Sequence, residues 1–215
     1  ARNCSILVDE WDFSTVSSGA SLEIPVETQE SPTLQMTALE MLPTVPGMAK
    51  LEHNGYYTGE DAGKLEYEMY QRLGTATPAY VAALLDTTAL VNPAYVLASS
   101  WNSQLNIAMP SKQLITLQGA WSANPVRRGY TLQNGVIGAV ASQVAQDFGV
   151  AGSAGCTAYL FVRAIAGVST GITVQLQGAT ALAFGTPVTL GTWTNFTTVG
   201  CKVLTVASGT VHRYL

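Results

Sequence analysis

The stretch NGYYTGEDAGKLEYEMYQRLG, residues 54–74, contains the only segment of the chain with convincing helical periodicity. Leu65, Met69 and Leu73 recur every four residues, so a helix places them on one face. Opposite charges four residues apart support the same helix, and the glycine at position 74 is a typical helix end. We therefore predict a helix over residues 61–73. We expect its acidic face to point outward, and Leu65, Met69 and Leu73 to pack on the flank of a sheet or barrel.

The residues around this helix show the two-residue alternation of β-strands. Residues 20–28, ASLEIPVET, place Leu22, Ile24 and Val26 on one face. Pro25 has no N–H to donate, so we predict that this strand is an edge or is bulged. Residues 48–57 form the next predicted strand, with one apolar face that includes a histidine at position 53. We expect that histidine to be buried and structural.

The remaining segments extend the same β-rich pattern. Residues 5–13 and 33–39 read as strands, and 42–47, LPTVPG, read as a turn because of the prolines and glycine. Residues 75–94 read as a long inserted loop, and residues 95–125 as a hairpin. We predict further extended structure at 135–149, and strands at 156–165, 171–178, 186–199, 201–208 and 210–215.

Charge is scarce and unevenly distributed. Only 11% of the 215 residues are charged, against about 25% in ordinary soluble domains. Residues 1–86 hold thirteen acidic and four basic residues, a net charge of −9, whereas the rest of the chain has a net charge of +5. Low charge is typical of surfaces that neighbouring subunits cover. The acidic first part argues against a grip on nucleic acid, which basic residues would provide.

The sequence contains little that could support catalysis or hold a cofactor. There are two histidines, His53 and His212, and no metalloprotease, nucleophile-elbow, P-loop or dinucleotide-binding pattern. The three cysteines have no CxxC spacing, so we expect no zinc site, while a bond between Cys156 and Cys201 stays open. We predict that the protein is not an enzyme and needs no cofactor or metal.

The ends and the apolar runs bear on the location of the protein. No apolar run approaches the length of a membrane-spanning helix, so we expect no membrane association. The first residues, ARNCSILV, lack the pattern of a signal peptide, and an initial alanine suggests removal of a starting methionine. We expect a protein made in the cytoplasm and not exported through a signal peptide.

The order of these segments resembles the major tail tube protein of long-tailed, non-contractile bacteriophages. The resemblance rests on VDEWDFS, LPTVPGMAKLEHNGYYTG, the helix segment, the hairpin SSWNSQLNIAMPSKQLITLQGAW and the following RRGYTL, in that order. The segments AYLFVRAI, GITVQLQ and SGTVHRYL resemble the C-terminal β module added to some of these proteins. The insertion at 75–94 and the nearly uncharged C-terminal part depart from the family.

The resemblance implies a mainly β fold with two domains. Residues 1–130 would be a tail-tube β-sandwich or barrel with one flanking helix, and residues 131–215 a β-sandwich module. Hexameric rings of this chain would stack into the virion tail, assembled in the host cytoplasm, with the 75–94 loop between rings. Other implied partners are tape-measure and tail-end proteins, and genome DNA in non-specific passage.

The lining of such a tube is predicted from the alternation of residues 20–28. Glu23 and Glu27 lie on the polar face of that strand and are our candidates for lumen-facing residues. An acidic or neutral lining would let DNA pass without binding. The alternative is a surface- or carbohydrate-binding β-sandwich adhesion module, in which one or more of the four tryptophans would be sugar platforms.

Overall fold

The structure is a computed structural model that describes residues 4–30, 41–75, 78–86, 92–123, 126–136, 145–167, 171–209 and 212–215. The described residues are mainly β with one short helix, so the predicted fold class is confirmed. In the first part of the chain the elements are β1 (Ser5–Val8), β2 (Trp11–Asp12), β3 (Ser17–Glu23), β4 (Val26–Glu30), β5 (Met41–Pro46), β6 (Ala49–Tyr56), α1 (Leu65–Gln71), β7 (Ala79–Leu84), β8 (Pro93–Ala108), β9 (Thr116–Ala123) and β10 (Val126–Tyr130). They are followed by β11 (Asp147–Gly152), β12 (Cys156–Val162), β13 (Ile172–Gly178), β14 (Val188–Phe196), β15 (Gly200–Val206) and β16 (His212–Tyr214).

The chain divides into two compact units. The helix unit consists of Phe13–Ala82 and Tyr95–Arg128. The C-terminal unit consists of Ala1–Asp12, Ala83–Ala94 and Gly129–Leu215. These units are not continuous segments, and the division at residue 130 stays a prediction.

The helix unit is built on an antiparallel sheet with the strand order β7-β8-β9-β6-β3, and β10 also pairs with β8. Register is regular where β6 meets β9, with Leu51 opposite Trp121 and His53 opposite Gly119. Alternate residues of β6 are buried, as the predicted strand 48–57 requires. The hairpin predicted from residues 95–125 is confirmed by the antiparallel pairing of β8 with β9.

The helix is shorter than the predicted 61–73. Residues before Leu65 form a turn in which the Lys64 N–H bonds the Asp61 carbonyl and Gly63 has a φ of 83°. That left-handed conformation suits glycine and interrupts a helix, so α1 begins after it. Lys64 is the N-cap residue, and its side chain makes no capping hydrogen bond.

Two predictions around Pro25 and residues 42–47 are also wrong in part. The single strand expected over residues 20–28 is interrupted at Ile24 and Pro25, and its two halves pair with different strands, β6 and β5. The Pro25 carbonyl instead accepts a bond from the Gly47 N–H at 2.8 Å. Residues 42–47, predicted as a turn, lie largely in β5, which pairs with β4 in a two-stranded ribbon. An edge strand tolerates proline, because its outward N–H groups need no partner in the sheet.

The segment 75–94 is not a simple inserted loop. Six of its residues form β7, whose positions from Val81 through Leu84 are all buried. A strand buried on both faces shows no alternation, which is why its sequence gives a weak strand signal. The buried strand cannot serve as a contact between rings, so that role is wrong for these residues; residues 76–77 and 87–91 lie outside the described part of the chain.

The C-terminal unit contains antiparallel pairs of short strands: β1–β2, β11–β16, β12–β15 and β13–β14. Each strand predicted from residue 156 onward is confirmed, with small changes at its ends. Close packing links two of the pairs, because a Cβ on Gly191 of β14 would lie 2.5 Å from the side chain of Leu204 in β15. The predicted strand at 33–39, and residues 137–144 of the extended segment 135–149, lie outside the described residues.

Candidate functional site

One face of the sheet in the helix unit is covered by α1. Leu65 and Met69 are fully buried there. Gly55 and Gly119 make the close approach possible, since a Cβ at these positions would lie 2.4 Å from Leu65 and 2.6 Å from Met69. The helix therefore packs directly on the backbone of β6 and β9. This close packing requires that Gly55 and Gly119 have no side chain.

The end of α1 is held by Asn102 of β8. Its side-chain amide donates to the Met69 carbonyl at 2.7 Å, and its backbone N–H donates to the Arg72 carbonyl at 3.3 Å. The Asn102 carbonyl in turn accepts a bond from the Gly74 N–H at 3.2 Å. One fully buried residue thus satisfies backbone groups that the helix end would leave unpaired. Sequence reasoning missed Asn102, because nothing local distinguishes it from other polar residues of the hairpin.

Leu73, the third residue predicted to pack on the helix flank, lies beyond the end of α1. It forms an isolated bridge with Asn102, and 41% of its surface is exposed. Tyr70, which extends the apolar stripe in sequence, is 62% exposed. The buried stripe therefore consists of Leu65 and Met69, and Tyr70 and Leu73 are apolar groups at the surface.

Glu68 is a buried carboxylate on α1. It accepts a bond from the Gly63 N–H at 3.1 Å and lies 3.5 Å from the Arg72 Nε. These contacts join the turn before α1 to the residue after it. An open cavity of about 230 Å³ beside them is lined by Glu68, Gln71, Arg72 and Thr75. Its two charged residues pair with each other, so the arrangement is structural.

The two lumen candidates lie in different strands. Glu23 is exposed at the end of β3, the last strand in the sheet order, and pairs in register with Lys50. The Lys50 ammonium bonds Glu52 at 2.8 Å. Glu27 lies in β4, and its side chain is outside the described structure. The structure therefore does not bring the two glutamates together on one strand face.

His53 is fully buried beneath α1. The Ser17 hydroxyl donates to the Phe13 carbonyl, so the His53 Nε2–H donates to the Ser17 oxygen. The other ring nitrogen, Nδ1, is buried and has no hydrogen-bond partner within the described part of the chain. Burial lowers the pKa of His53 from 6.5 to about 4, so the ring is neutral at pH 7.

The outer half of the β8–β9 hairpin is exposed although its backbone pairing is regular. Every residue from 106 through 114 is exposed. Three of these are large apolar residues: Ile107 is 43% exposed, Met109 74% and Leu114 70%. Such a concentration of exposed apolar side chains on one hairpin is typical of a surface that another protein covers.

None of the four tryptophans is in the exposed class. Trp121 is fully buried, and Trp11, Trp101 and Trp193 are partly buried. The indole nitrogens of Trp121 and Trp193 are both buried, and neither has a hydrogen-bond partner in the described ranges. A stacking platform needs an open ring face, so these side chains do not favour the adhesion alternative.

Cys4, Cys156 and Cys201 are free thiols. Strands β12 and β15 are neighbours, but Cys156 lies opposite Val206 and Cys201 opposite Phe161. Five residues of strand separate the two cysteines, a distance of roughly 16 Å, which rules out a bond between them. Burial raises the pKa of Cys201 to about 12, so this thiol is unreactive.

The described residues contain neither a cluster of metal ligands nor a membrane-spanning helix. No group of three or more histidine, cysteine, aspartate or glutamate side chains is arranged to hold a metal ion within the described ranges. No helix in the same residues is long and apolar enough to cross a membrane.

Comparison with known proteins gives matches of structure alone. No family model matches the sequence, and no curated protein is similar to it. Among solved structures, 60% of this chain aligns with 88% of a chain in the extended PVC sheath–tube complex of an extracellular contractile injection system (TM-score 0.48, 9% identity).

Two further structures give similar values. The tube-terminating cap of the anti-feeding prophage matches with a TM-score of 0.47 and 14% identity, over 60% of this chain and 88% of that one. The virion of a native gene transfer agent particle matches with a TM-score of 0.44 and 10% identity, over 59% of this chain and 95% of that one. All three TM-scores lie below 0.5, so the likeness does not assign the chain to a family.

Proposed function

We propose that this chain is a structural virion protein that polymerises as stacked hexameric rings into the tail tube of a long-tailed, non-contractile bacteriophage. Its location would be the virion tail, after assembly in the host cytoplasm. Its partners would be further copies of itself, tape-measure and tail-end proteins, and genome DNA passing through the tube. Support comes from the order of the sequence motifs and from the exposed surfaces of the chain.

The exposed half of the β8–β9 hairpin is the observation that supports self-assembly most strongly. The side chains of Ile107, Met109 and Leu114 expose apolar surface to water in the single chain. Contact with another protein would remove this apolar surface from water. The chain as a whole is poor in charge, which is the composition of surfaces that become interfaces. Burial of this hairpin against a neighbouring copy accounts for both observations.

Open sheet edges support the same proposal. Strand β3 ends the sheet order of the helix unit, and its residues from Ser18 through Ser21 are exposed. An unpaired edge presents backbone N–H and C=O groups that another strand can complete. Contacts between unlike surfaces of identical copies generate rings when the rotation closes.

The proposed role of Glu23 and Glu27 is to line the tube with negative charge. Glu23 is exposed, as a lining residue must be. Because DNA binding is driven by basic residues that neutralise phosphates, an acidic wall repels the genome and keeps it mobile. The proposal for Glu27 rests on its sequence position.

The assembly claim can be tested at the hairpin. We expect the double variant Met109→Ser, Leu114→Ser to remain folded and to lose polymerisation, measured by sedimentation velocity of the purified chain at high concentration. Leu182→Ser is the matched control, since Leu182 is also highly exposed, at 64%, but lies outside the hairpin. If the hairpin variant polymerises as well as the control, the hairpin does not form the contact.

A further inference from the structure

His53 lies on the sheet face that α1 covers, because it is on the same side of β6 as Gly55. Its neighbours across the sheet are Ala20 of β3 and Gly119 of β9. Leu65 packs over Gly55, two residues along β6 from His53, and Met69 packs over Gly119, which lies opposite His53 in β9, so both buried side chains of α1 cover positions next to the histidine. The tilted ring of Phe13, 6.3 Å away between centroids, packs beside it.

Protonation would be unfavourable here for two separate reasons. The proton would add to Nδ1, because Nε2 already carries the hydrogen donated to Ser17. Nδ1 is buried and has no hydrogen-bond partner among the residues that the structure describes, so the new N–H would be unpaired there. The positive charge would also be far from water.

Nearby charges do not offset this cost. The titratable and charged groups on the surrounding elements are Glu23 of β3, Lys50, Glu52 and Tyr56 of β6, and Lys64, Glu66, Tyr67, Glu68, Tyr70 and Arg72 of α1 and its flanks, while β9 has none. Glu68 is the buried acid of α1, and its contacts are with Gly63 and Arg72. Lys50 and Glu52 alternate with His53 along β6, so they lie on the opposite face of the sheet.

We propose that His53 makes the docking of α1 an acid-sensitive latch, in which a proton on the buried ring releases the helix and the adjoining β3 strand from the sheet. The released ring reaches water, where the imidazolium is solvated. The latch belongs to the helix unit and does not depend on the chain forming a tube. At neutral pH the ring is neutral and the latch stays closed.

The direction of the pH dependence follows from the histidine itself. The pKa of His53 is lowered from 6.5 to about 4 in the folded state by burial. Its contribution to stability is therefore complete above pH 6.5 and is lost as the pH falls from 6.5 towards 4. Over that interval the opening of α1 should increase by roughly 10- to 100-fold.

Hydrogen exchange of the full-length chain, read by mass spectrometry at about pH 7 and about pH 4.5, tests the latch. We expect α1 and β3 of the wild type to lose protection in acid, while β12 and β15 keep theirs. The variant His53→Gln retains a side chain that can bond Ser17 but cannot be charged, so α1 should stay protected at both pH values. His212→Gln is the matched control and should behave as the wild type.

Glu68→Gln separates the histidine from the buried carboxylate, and it should leave the acid response in place. Equal loss of protection in the wild type and His53→Gln would overturn the proposal, as would an α1 that stays protected in acid in the wild type. If His53→Gln does not fold, the His53 ring can be followed by NMR in the wild type. Titration of the ring together with α1 exposure supports the latch, and ring titration without α1 exposure contradicts it.

Discussion

Asn102 shows how one buried polar residue can determine where a helix sits. Its amide and backbone N–H bond the carbonyls of Met69 and Arg72 at the end of α1, and Asn102 and Met69 are fully buried. We expect Asn102→Ala to lower the free energy of unfolding by about 1–3 kcal/mol, because it leaves the Met69 carbonyl unpaired. Urea denaturation measures this change.

Asn106→Ala is the control for that measurement, since Asn106 lies in the same strand but is exposed. Its effect should stay within about 0.5 kcal/mol. Equal effects of the two substitutions would show that Asn102 does not hold the helix.

Gly19 of β3 and Gly55 of β6 differ in how much space surrounds them. A Cβ on Gly55 would meet the Leu65 side chain at 2.4 Å and the Val16 carbonyl at 2.9 Å, whereas a Cβ on Gly19 would meet nothing within 4 Å. We expect Gly55→Ala to destabilise the chain by about 1–3 kcal/mol through overpacking, and Gly19→Ala to be close to neutral. Thermal unfolding of both variants checks the difference, and a neutral Gly55→Ala would contradict the close docking of α1.

At the level of the element, strand β16 near the C-terminus is joined to β11 by an ion pair. The Arg213 guanidinium makes two bonds of 2.7 Å to Asp147, which joins β16 to β11, and it lies 5.1 Å from the ring of Tyr214. The Arg213 hydrogen bonds lower the pKa of Asp147. The ion pair therefore stabilises the folded chain at pH values above the usual carboxyl pKa. This stabilisation is lost as the pH falls through the lowered pKa of Asp147.

We expect Arg213→Gln to increase hydrogen exchange in β11 and β16 at neutral pH and to leave β12 and β15 unchanged. High salt should reduce the difference between variant and wild type, since the pair is exposed to solvent. Lys202→Gln, which removes a partly exposed base from the same unit, is the control. An unchanged β16 in Arg213→Gln would mean that backbone pairing alone holds the strand.

Some of the strands and helix ends could be predicted from the local sequence, and others could not. β6 was predictable because it has one buried and one wetter face, which imposes alternation on Ala49 through Tyr56. β7 was missed because both of its faces are buried, and β5 because its prolines resemble a turn. The start of α1 was misplaced because Gly63 adopts a left-handed conformation that no spacing rule reveals.

The contacts at the candidate sites were likewise predictable only where they depend on local sequence. The burial of Leu65 and Met69 follows from local periodicity, whereas the contacts of Asn102 with Met69 and of Ser17 with His53 join residues 33 and 36 positions apart. Contacts of this kind depend on the register of neighbouring strands. Local sequence contains no signal for them.

At the scale of the whole molecule, the placement of charge leads to a prediction about DNA passage. If Glu23 and Glu27 line the tube, then Glu23→Lys with Glu27→Lys should leave tubes intact and slow DNA ejection, most strongly at low salt. Ejection from phage particles carrying the double variant measures this effect. The variant Glu60→Lys, Glu66→Lys changes the net charge equally on exposed or partly exposed residues of the helix segment and should eject normally. Unchanged ejection in the first variant would remove both glutamates from the lumen.

In the proposed tube, copies of this chain cover one another's exposed surfaces and sheet edges around an open channel. Negative-stain electron microscopy of the purified full-length protein at high concentration is the decisive experiment. We expect rings or tubes with a central hole. A uniform population of single particles without a hole, persisting at every concentration, would contradict it.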